Sequence, residues 1–184
     1  MGIRTGTWLL ALTAVLVSCS SEEPSGSLPP LPTAAPSPPP TALPPPFPSD
    51  AEPATAQGAS AFARHYMELI EYAFASGDGA ALRTASDSDC VGCNNFLTGV
   101  ADADAAGEIA LGADIKVLEA VSPALVSGET TVDLRYERAA GTVVNQAGLQ
   151  VTAIAAQSPT NVQITVSRRD IWVVSAFTKV EVAS

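Results

Sequence analysis

Basic residues and histidine are scarce in this sequence of 184 residues. It has nine lysines and arginines against nineteen aspartates and glutamates, which gives a formal net charge of −10 at pH 7. A protein that neutralises nucleic-acid phosphates needs clustered lysine and arginine, so this composition excludes a general nucleic-acid-binding protein. The single histidine, His65, has no neighbouring Gly-x-Ser-x-Gly motif that would suggest a serine nucleophile. We find no catalytic signature and expect no cofactor.

A hydrophobic run long enough to cross a membrane is also missing at the N-terminus. The apolar run from Trp8 to Val17 has ten residues, and as a helix it would rise about 15 Å, half the hydrocarbon thickness of a bilayer. A short segment that carries Arg4 precedes it. This arrangement predicts a secretory signal peptide over residues 1–18.

The signal ends in a motif that resembles the bacterial lipobox. Leu16, Val17 and Ser18 supply an aliphatic residue and small residues before Cys19, whose thiol would carry diacylglycerol and which would become the new N-terminus. Fatty acyl chains, palmitate among them, contribute about 0.8 kcal/mol per buried CH₂. We therefore expect a lipoprotein anchored at the extracytoplasmic face of the cell membrane. The alternative is an ordinary signal peptide with an incidental cysteine.

Proline is concentrated in one part of the chain. Thirteen of the fifteen prolines lie between Pro24 and Pro53, which is incompatible with a packed core. Residues 19–53 are therefore predicted to be the lipidated cysteine and a Pro-rich linker, an extended stalk of up to ~90 Å. Docking of its PxxP segments in an aromatic groove is an alternative role. Residues 54–184 are left as one globular domain of modest size.

Helical periodicity dominates the first half of this domain. One long amphipathic helix of about five turns is predicted, with Thr55 as its N-terminal cap and Gly77 at its C-terminal end. A short helix capped by Asp78 and a third helix capped by Asp87 or Ser88 follow. His65 and Glu71 fall on the polar face of the first helix. Its apolar face is formed by Phe62, Tyr66, Leu69, Ile70, Ala73 and Phe74.

Beyond Gly112 the apolar period changes from 3.6 to 2 residues, which is typical of strands. The acidic stretch 102–107 lacks two ligands of a calcium-binding loop and is predicted to be a solvated loop. Segment 141–158 carries one weak strand signal, near Leu149 to Ile154, and a last strand runs from Ile171 to about Val182. Helices first and antiparallel strands afterwards predict an α+β domain, with helices packed on one face of a curved, mainly antiparallel sheet.

Three segments resemble a family of actinobacterial lipoproteins whose function is unassigned. They are residues 58–66, residues 72–78 and residues 87–96, and the Asp-x-Asp-Cys-x-x-Cys motif of the third is the most specific. The resemblance covers most of residues 53–182. It implies a cone-shaped fold similar to nuclear transport factor two and ketosteroid isomerase, and it supplies no catalytic residues.

Cys90 and Cys93 form an even pair in a domain predicted to be exported. Oxidation is the default in that compartment, and a spacing of three residues near a helix start brings the two Cα atoms within disulfide range. A thioredoxin-like redox pair is the alternative, although Asp87 and Asp89 would oppose thiolate formation. Zinc binding is disfavoured because one CxxC motif supplies two ligands, and no metal site is expected.

The remaining place for chemistry is a pocket on the concave side of the sheet. Tyr66, Tyr136 and Trp172 are candidates for its lining, and the alternative is that all three are core aromatics. An isomerase-like enzyme would need an inward-facing carboxylate, whereas Asp133 alternates away from Tyr136. We expect a non-enzymatic, lipid-anchored module that presents its domain to an envelope protein or a small ligand. A pocket-based enzyme or carrier and a thiol redox protein are the alternatives.

Overall fold

The structure, a computed structural model, describes residues 43–180. A short 3-10 helix (Ser49–Ala51) and three α-helices precede seven strands within this range. The helices are α1 (Ala56–Ser76), α2 (Ala80–Thr84) and α3 (Val91–Ala106). The strands are β1 (Glu108–Leu111), β2 (Ile115–Val121), β3 (Glu129–Arg138), β4 (Gly141–Asn145), β5 (Gln150–Ile154), β6 (Gln157–Arg168) and β7 (Trp172–Lys179).

Some sequence predictions concern residues outside the described part. The signal peptide, Cys19, the linker up to residue 42 and the end of the last strand beyond residue 180 all lie there. Among the described helices, none has the length and apolar character needed to span a bilayer.

The strands form two antiparallel sheets rather than one. A four-stranded sheet has the order β2-β3-β6-β7, and a three-stranded sheet has the order β1-β4-β5. The α+β class is therefore confirmed, whereas the expected single curved sheet is replaced by two. The division follows from β1 (Glu108–Leu111), which pairs with β4 and gives the β4–β5 hairpin a partner of its own.

Helix α1 has the ends that its sequence predicts. The Thr55 side-chain oxygen accepts a hydrogen bond from the Gly58 backbone N–H at 3.1 Å, which satisfies one free donor of the first turn. Gly77 closes the helix with φ of 77°, a left-handed conformation that glycine adopts without a Cβ penalty. Asp78 accepts a hydrogen bond from the Ala80 N–H at 2.9 Å at the start of α2.

Helix α3 departs from its prediction at both ends. Its N-terminal cap is Cys90, whose Sγ accepts from the Cys93 N–H at 3.2 Å, and not Asp87 or Ser88. Residues 102–106 continue the helix instead of forming a solvated loop. The alanines in this stretch have high helix propensity and therefore extend the helix. The helix ends at Gly107, which adopts a left-handed conformation with φ of 66°.

Segment 141–158 contains β4, β5 and the first two residues of β6, where the sequence predicted one strand. Asn145 closes the β4–β5 hairpin, because its side-chain oxygen accepts from the N–H groups of Ala147 and Leu149 at 3.0 and 3.1 Å. Residues 150–153 of β5 are all exposed. A strand without a buried face has no reason to alternate, so its sequence signal is weak.

The core lies between α1 and the inner face of the four-stranded sheet. The predicted alternation is confirmed in the middle of β3 and β6, where Val132, Leu134, Val162, Ile164 and Val166 are buried and the residues between them are exposed or half-buried. The sheet contributes Val132, Leu134, Val162, Ile164, Val166, Trp172 and Val174, and α1 contributes Phe62, Tyr66, Leu69, Ile70 and Ala73.

Residues 47–53, here called the docked segment, pack on the domain although composition assigns them to the linker. The Phe47 ring lies 6.4 Å from the ring of Phe62 and 5.6 Å from that of His65, measured between centroids. Ala51 is completely buried. His65, expected on the polar face of α1, is consequently only 4% exposed. This part of the helix has a polypeptide partner that its own periodicity does not reveal.

Candidate functional site

A cavity of about 410 Å³ lies between α1, α3 and the two sheets. This volume is within the range of small-molecule sites, about 300–1,000 Å³. Every layer of the fold contributes to its wall, so the cavity exists only in the assembled domain. The apolar side chains of the wall are Met67, Ile70, Phe74, Ala75, Phe96, Ala103, Ile109, Ala110, Ala113, Ile115, Val143 and Ile154.

Helix α1 supplies one wall through residues spaced at i, i+3, i+4 and i+7. Met67, Ile70, Glu71 and Phe74 therefore form a continuous stripe that lines the cavity. Glu71 is half-buried there, which corrects its expected place on the polar face. Its Oε2 accepts a hydrogen bond from the Ile115 backbone N–H at 2.8 Å, and this bond fastens α1 to the first residue of β2.

Other polar groups line the cavity beside Glu71. Tyr136 is half-buried, and its hydroxyl oxygen accepts a long hydrogen bond of 3.4 Å from the Gln157 amide. Arg138 donates through Nη2 to the Ala155 carbonyl at 3.4 Å. Two more carboxylates, those of Glu108 and Asp114, line the same space. An apolar wall with a few polar groups is the usual composition of a site that binds and orients a small molecule.

The three aromatic candidates do not share one place. Tyr136 lies on the wall of this cavity, whereas Tyr66 and Trp172 are absent from it. Tyr66 is fully buried with its hydroxyl 2.9 Å from the Ser86 hydroxyl, and burial raises the pKa of Tyr66 to about 12. The arrangement of these two residues corresponds to the alternative weighed from the sequence, that of core aromatics with partnered polar tips.

Trp172 connects the last strand to the docked segment. Its ring stacks on Phe62 with centroids 5.8 Å apart, and its indole N–H donates to the Ala51 carbonyl at 2.6 Å. The Arg168 guanidinium lies 5.6 Å from the centre of the ring. Trp172 therefore has a structural role on the side of the sheet where residues 47–53 pack.

Cys90 and Cys93 are joined by a disulfide, with their Cα atoms 5.3 Å apart. Both are buried, at 1% and 0% exposure, and Cys93 Sγ lies 3.8 Å from the Val174 carbonyl oxygen. The bond fixes the start of α3 against β7. No group of three or more His, Cys, Asp or Glu residues within residues 43–180 is arranged to hold a metal ion.

Sequence reasoning missed four charged groups on the cavity wall, namely Glu71, Glu108, Asp114 and Arg138. For Glu71 the signal was present, because it follows Ile70 and lies four residues after Met67 on the inner edge of α1. Arg138 gave no comparable signal. Arg138 is the last residue of β3 and pairs with Ile115 on β2 and with Gln157 on β6. Both partners are distant in the sequence, so local periodicity does not reveal them.

Comparison with known proteins gives a family and a fold. The model of a family described as "Family of unknown function (DUF6318)" matches residues 33–177. The search of curated proteins gave no match. Among solved structures, the chain is similar to one titled "Crystal structure of intermembrane space region of chloroplast protein ARC6". The TM-score is 0.51 at 10% identity, over 69% of this chain and 97% of that chain, so the likeness concerns the fold alone.

Proposed function

The chain belongs to DUF6318, a family of unknown function, and we propose that it binds a small, largely apolar ligand while anchored to the extracytoplasmic face of the cell membrane. Binding is assigned to the cavity between α1, α3 and the two sheets. Anchoring is assigned to acyl chains on Cys19, and the Pro-rich segment that follows Cys19 serves as a tether.

The cavity is the observation that carries this proposal. Its volume of about 410 Å³ suits a small molecule, and its wall is mainly apolar with a few polar groups. A filled interior would instead have favoured a domain that acts only through its outer surface. The cavity is also compatible with the predicted similarity to nuclear transport factor two and ketosteroid isomerase, in which an apolar pocket lies on the concave side of the sheet.

Two features support export and anchoring. Leu16, Val17 and Ser18 precede Cys19 directly after an apolar run of signal-peptide length. The Cys90–Cys93 disulfide fits a compartment outside the reducing cytoplasm, where such bonds persist. An exported chain with a cysteine at this position is the usual substrate for lipid attachment.

Filling the cavity tests the binding proposal. Ala103→Phe places a ring in the cavity, whereas Ala101→Phe places the same ring on an exposed position of the same helix. We expect the parent chain and Ala101→Phe to bind the apolar dye Nile red alike, and Ala103→Phe to lose at least tenfold in affinity. Circular dichroism shows whether both variants are folded. Equal binding by all three folded proteins would refute a ligand site in this cavity.

A carboxylate on the cavity wall favours a second candidate, an enzyme that moves a proton on a bound carbon acid. Glu71 is the group that would accept the proton, and the apolar wall would exclude water from it. Hydrogen–deuterium exchange at the activated carbon of a bound ketone, catalysed by the parent chain and lost in Glu71→Gln, would establish this activity. A bound ketone whose protons do not exchange supports the carrier instead.

A further inference from the structure

We propose that two copies of this chain associate through the free edge of β5 (Gln150–Ile154), so that their three-stranded sheets join into one antiparallel sheet. The partner at this edge is therefore a second copy of the same chain, related to the first by a two-fold axis. This association goes beyond the proposed ligand binding and does not depend on it.

Strand β5 is the outermost strand of its sheet. Within residues 43–180 its only strand neighbour is β4. Successive residues of an antiparallel ladder direct their backbone groups to opposite sides. The Thr152 carbonyl lies on the β4 side, where it accepts a hydrogen bond of 3.1 Å from the Thr142 hydroxyl. The N–H and C=O of Ala153 therefore point away from β4, and an added strand can bond to both of them.

The side chains that usually protect an edge strand are missing from β5. Charged residues, lysine above all, and proline serve this purpose in natural sheets. No charged residue and no histidine occurs from residue 139 to residue 167, and β5 itself has no proline. Val151 is 50% exposed, and Leu149, just before the strand, is 64% exposed. The edge thus offers backbone groups and apolar side chains to a second strand, with no charge to oppose it.

The distribution of charge favours a second copy as the source of that strand. The chain has a formal net charge of −10, so contacts between two copies generally bring like charges together. Every charged residue lies outside residues 139–167. Pairing of β5 with β5 therefore places two uncharged strands against each other and avoids this repulsion along the contact.

Other segments of the chain are less suitable partners for β5. Residues 24–46 are rich in proline, which has no N–H to donate to a ladder. Strand β2, at the edge of the other sheet, carries the exposed charges of Lys116 and Glu119. Pairing of β5 with β2 would also use two different surfaces and would leave an edge free on each copy, whereas pairing of β5 with β5 closes as a dimer.

A bulge in β5 sets the register of the pairing. Val151 is an extra residue opposite β4, because Thr152 pairs with Val143 and Gln150 pairs with Val144. The regular part of the edge is residues 152–154, and antiparallel pairing of this part with itself places Ala153 opposite Ala153 of the second copy. A ladder of at most five residues is about 17 Å long and makes a small interface, so the dimer is weak.

Charged substitutions at Ala153 test the pairing by sedimentation velocity of the full chain at concentrations up to about 1 mM. We expect Ala153→Lys and Ala153→Glu each to weaken the dimer at least about tenfold, because like charges then face each other across the axis. A mixture of the two variants should restore the dimer, because lysine then faces glutamate. Ala147→Lys and Ala147→Glu, at an exposed alanine in the turn of the same hairpin, should associate as the parent does.

Cross-linking with a short bismaleimide locates the contact independently. Facing side chains of paired strands have Cβ atoms about 4.5–5.5 Å apart, so Ala153→Cys should give covalent dimers of the full chain. Ala147→Cys is the matched control, because the turns of the two copies lie at opposite ends of the joined strands. Its yield of dimers should equal that of the parent.

The outcomes either support or overturn the association. A chain that stays monomeric at every concentration overturns it, and so does a dimer that Ala153→Lys leaves unchanged. A mixture of the lysine and glutamate variants that stays as weakly associated as each variant alone also overturns it. Circular dichroism shows whether the charged variants fold. If they do not, equal cross-linking of Ala153→Cys and Ala147→Cys is the result that refutes the pairing.

Discussion

Replacing Gly58 with alanine tests whether the docked segment holds its place against α1. Gly58 is buried in the first turn of α1, and a Cβ added there would overlap the carbonyl oxygen of Pro53. Helix propensity alone favours alanine by about 0.5–1 kcal/mol. Moving the backbone of Pro53 away costs about 1–3 kcal/mol, as overpacking usually does. We therefore expect Gly58→Ala to lower the free energy of unfolding by about 1–2 kcal/mol.

Urea unfolding followed by circular dichroism measures this change. Ser60→Ala is the matched control, because it also puts alanine in the first part of α1 and removes only a hydroxyl that donates to the Ala56 carbonyl at 3.0 Å. Its effect should stay within about 0.5 kcal/mol. If Gly58→Ala instead stabilises the protein by the amount that helix propensity gives, Pro53 does not occupy that position, and the reasoning on the docked segment is wrong.

Three further predictions concern the anchor, the disulfide and a buried phenol. Cys19→Ala should leave the membrane fraction or accumulate as an unprocessed precursor, and fractionation identical to the parent would refute lipid attachment. Replacing Cys90 and Cys93 together by alanine should cost about 2 kcal/mol without changing the fold, as measured by urea unfolding, whereas loss of an activity with unchanged stability would indicate a redox pair. The pKa of Tyr66 is raised from 10.0 to about 12 by burial, so the stability contributed by its neutral phenol is complete below pH 10 and is lost as the pH rises from 10 through 12. Tyr66→Phe should therefore flatten the fall in stability over this interval by up to about 1.4 kcal/mol per pH unit, and an unchanged slope would contradict a buried phenol.

The features predicted well from the sequence depend on neighbours along the chain. Thr55 and Gly77 act within one turn of α1, and their roles follow from local geometry. Val132 and Leu134 alternate with exposed residues because the sheet is buried on one face, so a period of 2 was sufficient to find them. The α+β class follows from the same two periods.

The features that were missed depend on contacts between distant residues. His65 is buried because Phe47 covers it, and proline content alone assigned the segment around Phe47 to the linker. Tyr136, a pocket candidate from the sequence, and Arg138, which the sequence did not single out, lie on the same strand and line the same cavity. The Arg138 side chain donates a hydrogen bond to the carbonyl of Ala155, which directly follows β5 and its last residue, Ile154. Because β5 is mostly exposed, its sequence shows almost no strand periodicity. Composition and periodicity contain no information about such pairings.

The hydrogen bond between Trp172 and the Ala51 carbonyl has a consequence for the order in which the chain folds. It joins residues 121 apart in the sequence. The Val174 N–H donates a second long-range hydrogen bond, of 2.8 Å, to the Ala85 carbonyl, 89 residues earlier (174 − 85). A chain made or exported from its N-terminus presents α1 first, but the partners of α1 on β7 emerge last. Because long loops must close before such contacts form, completion of the core is a late and comparatively slow event. A chain cut before Trp172 would contain the residues of all three α-helices and of strands β1 to β6. It would lack β7, the strand that completes the core.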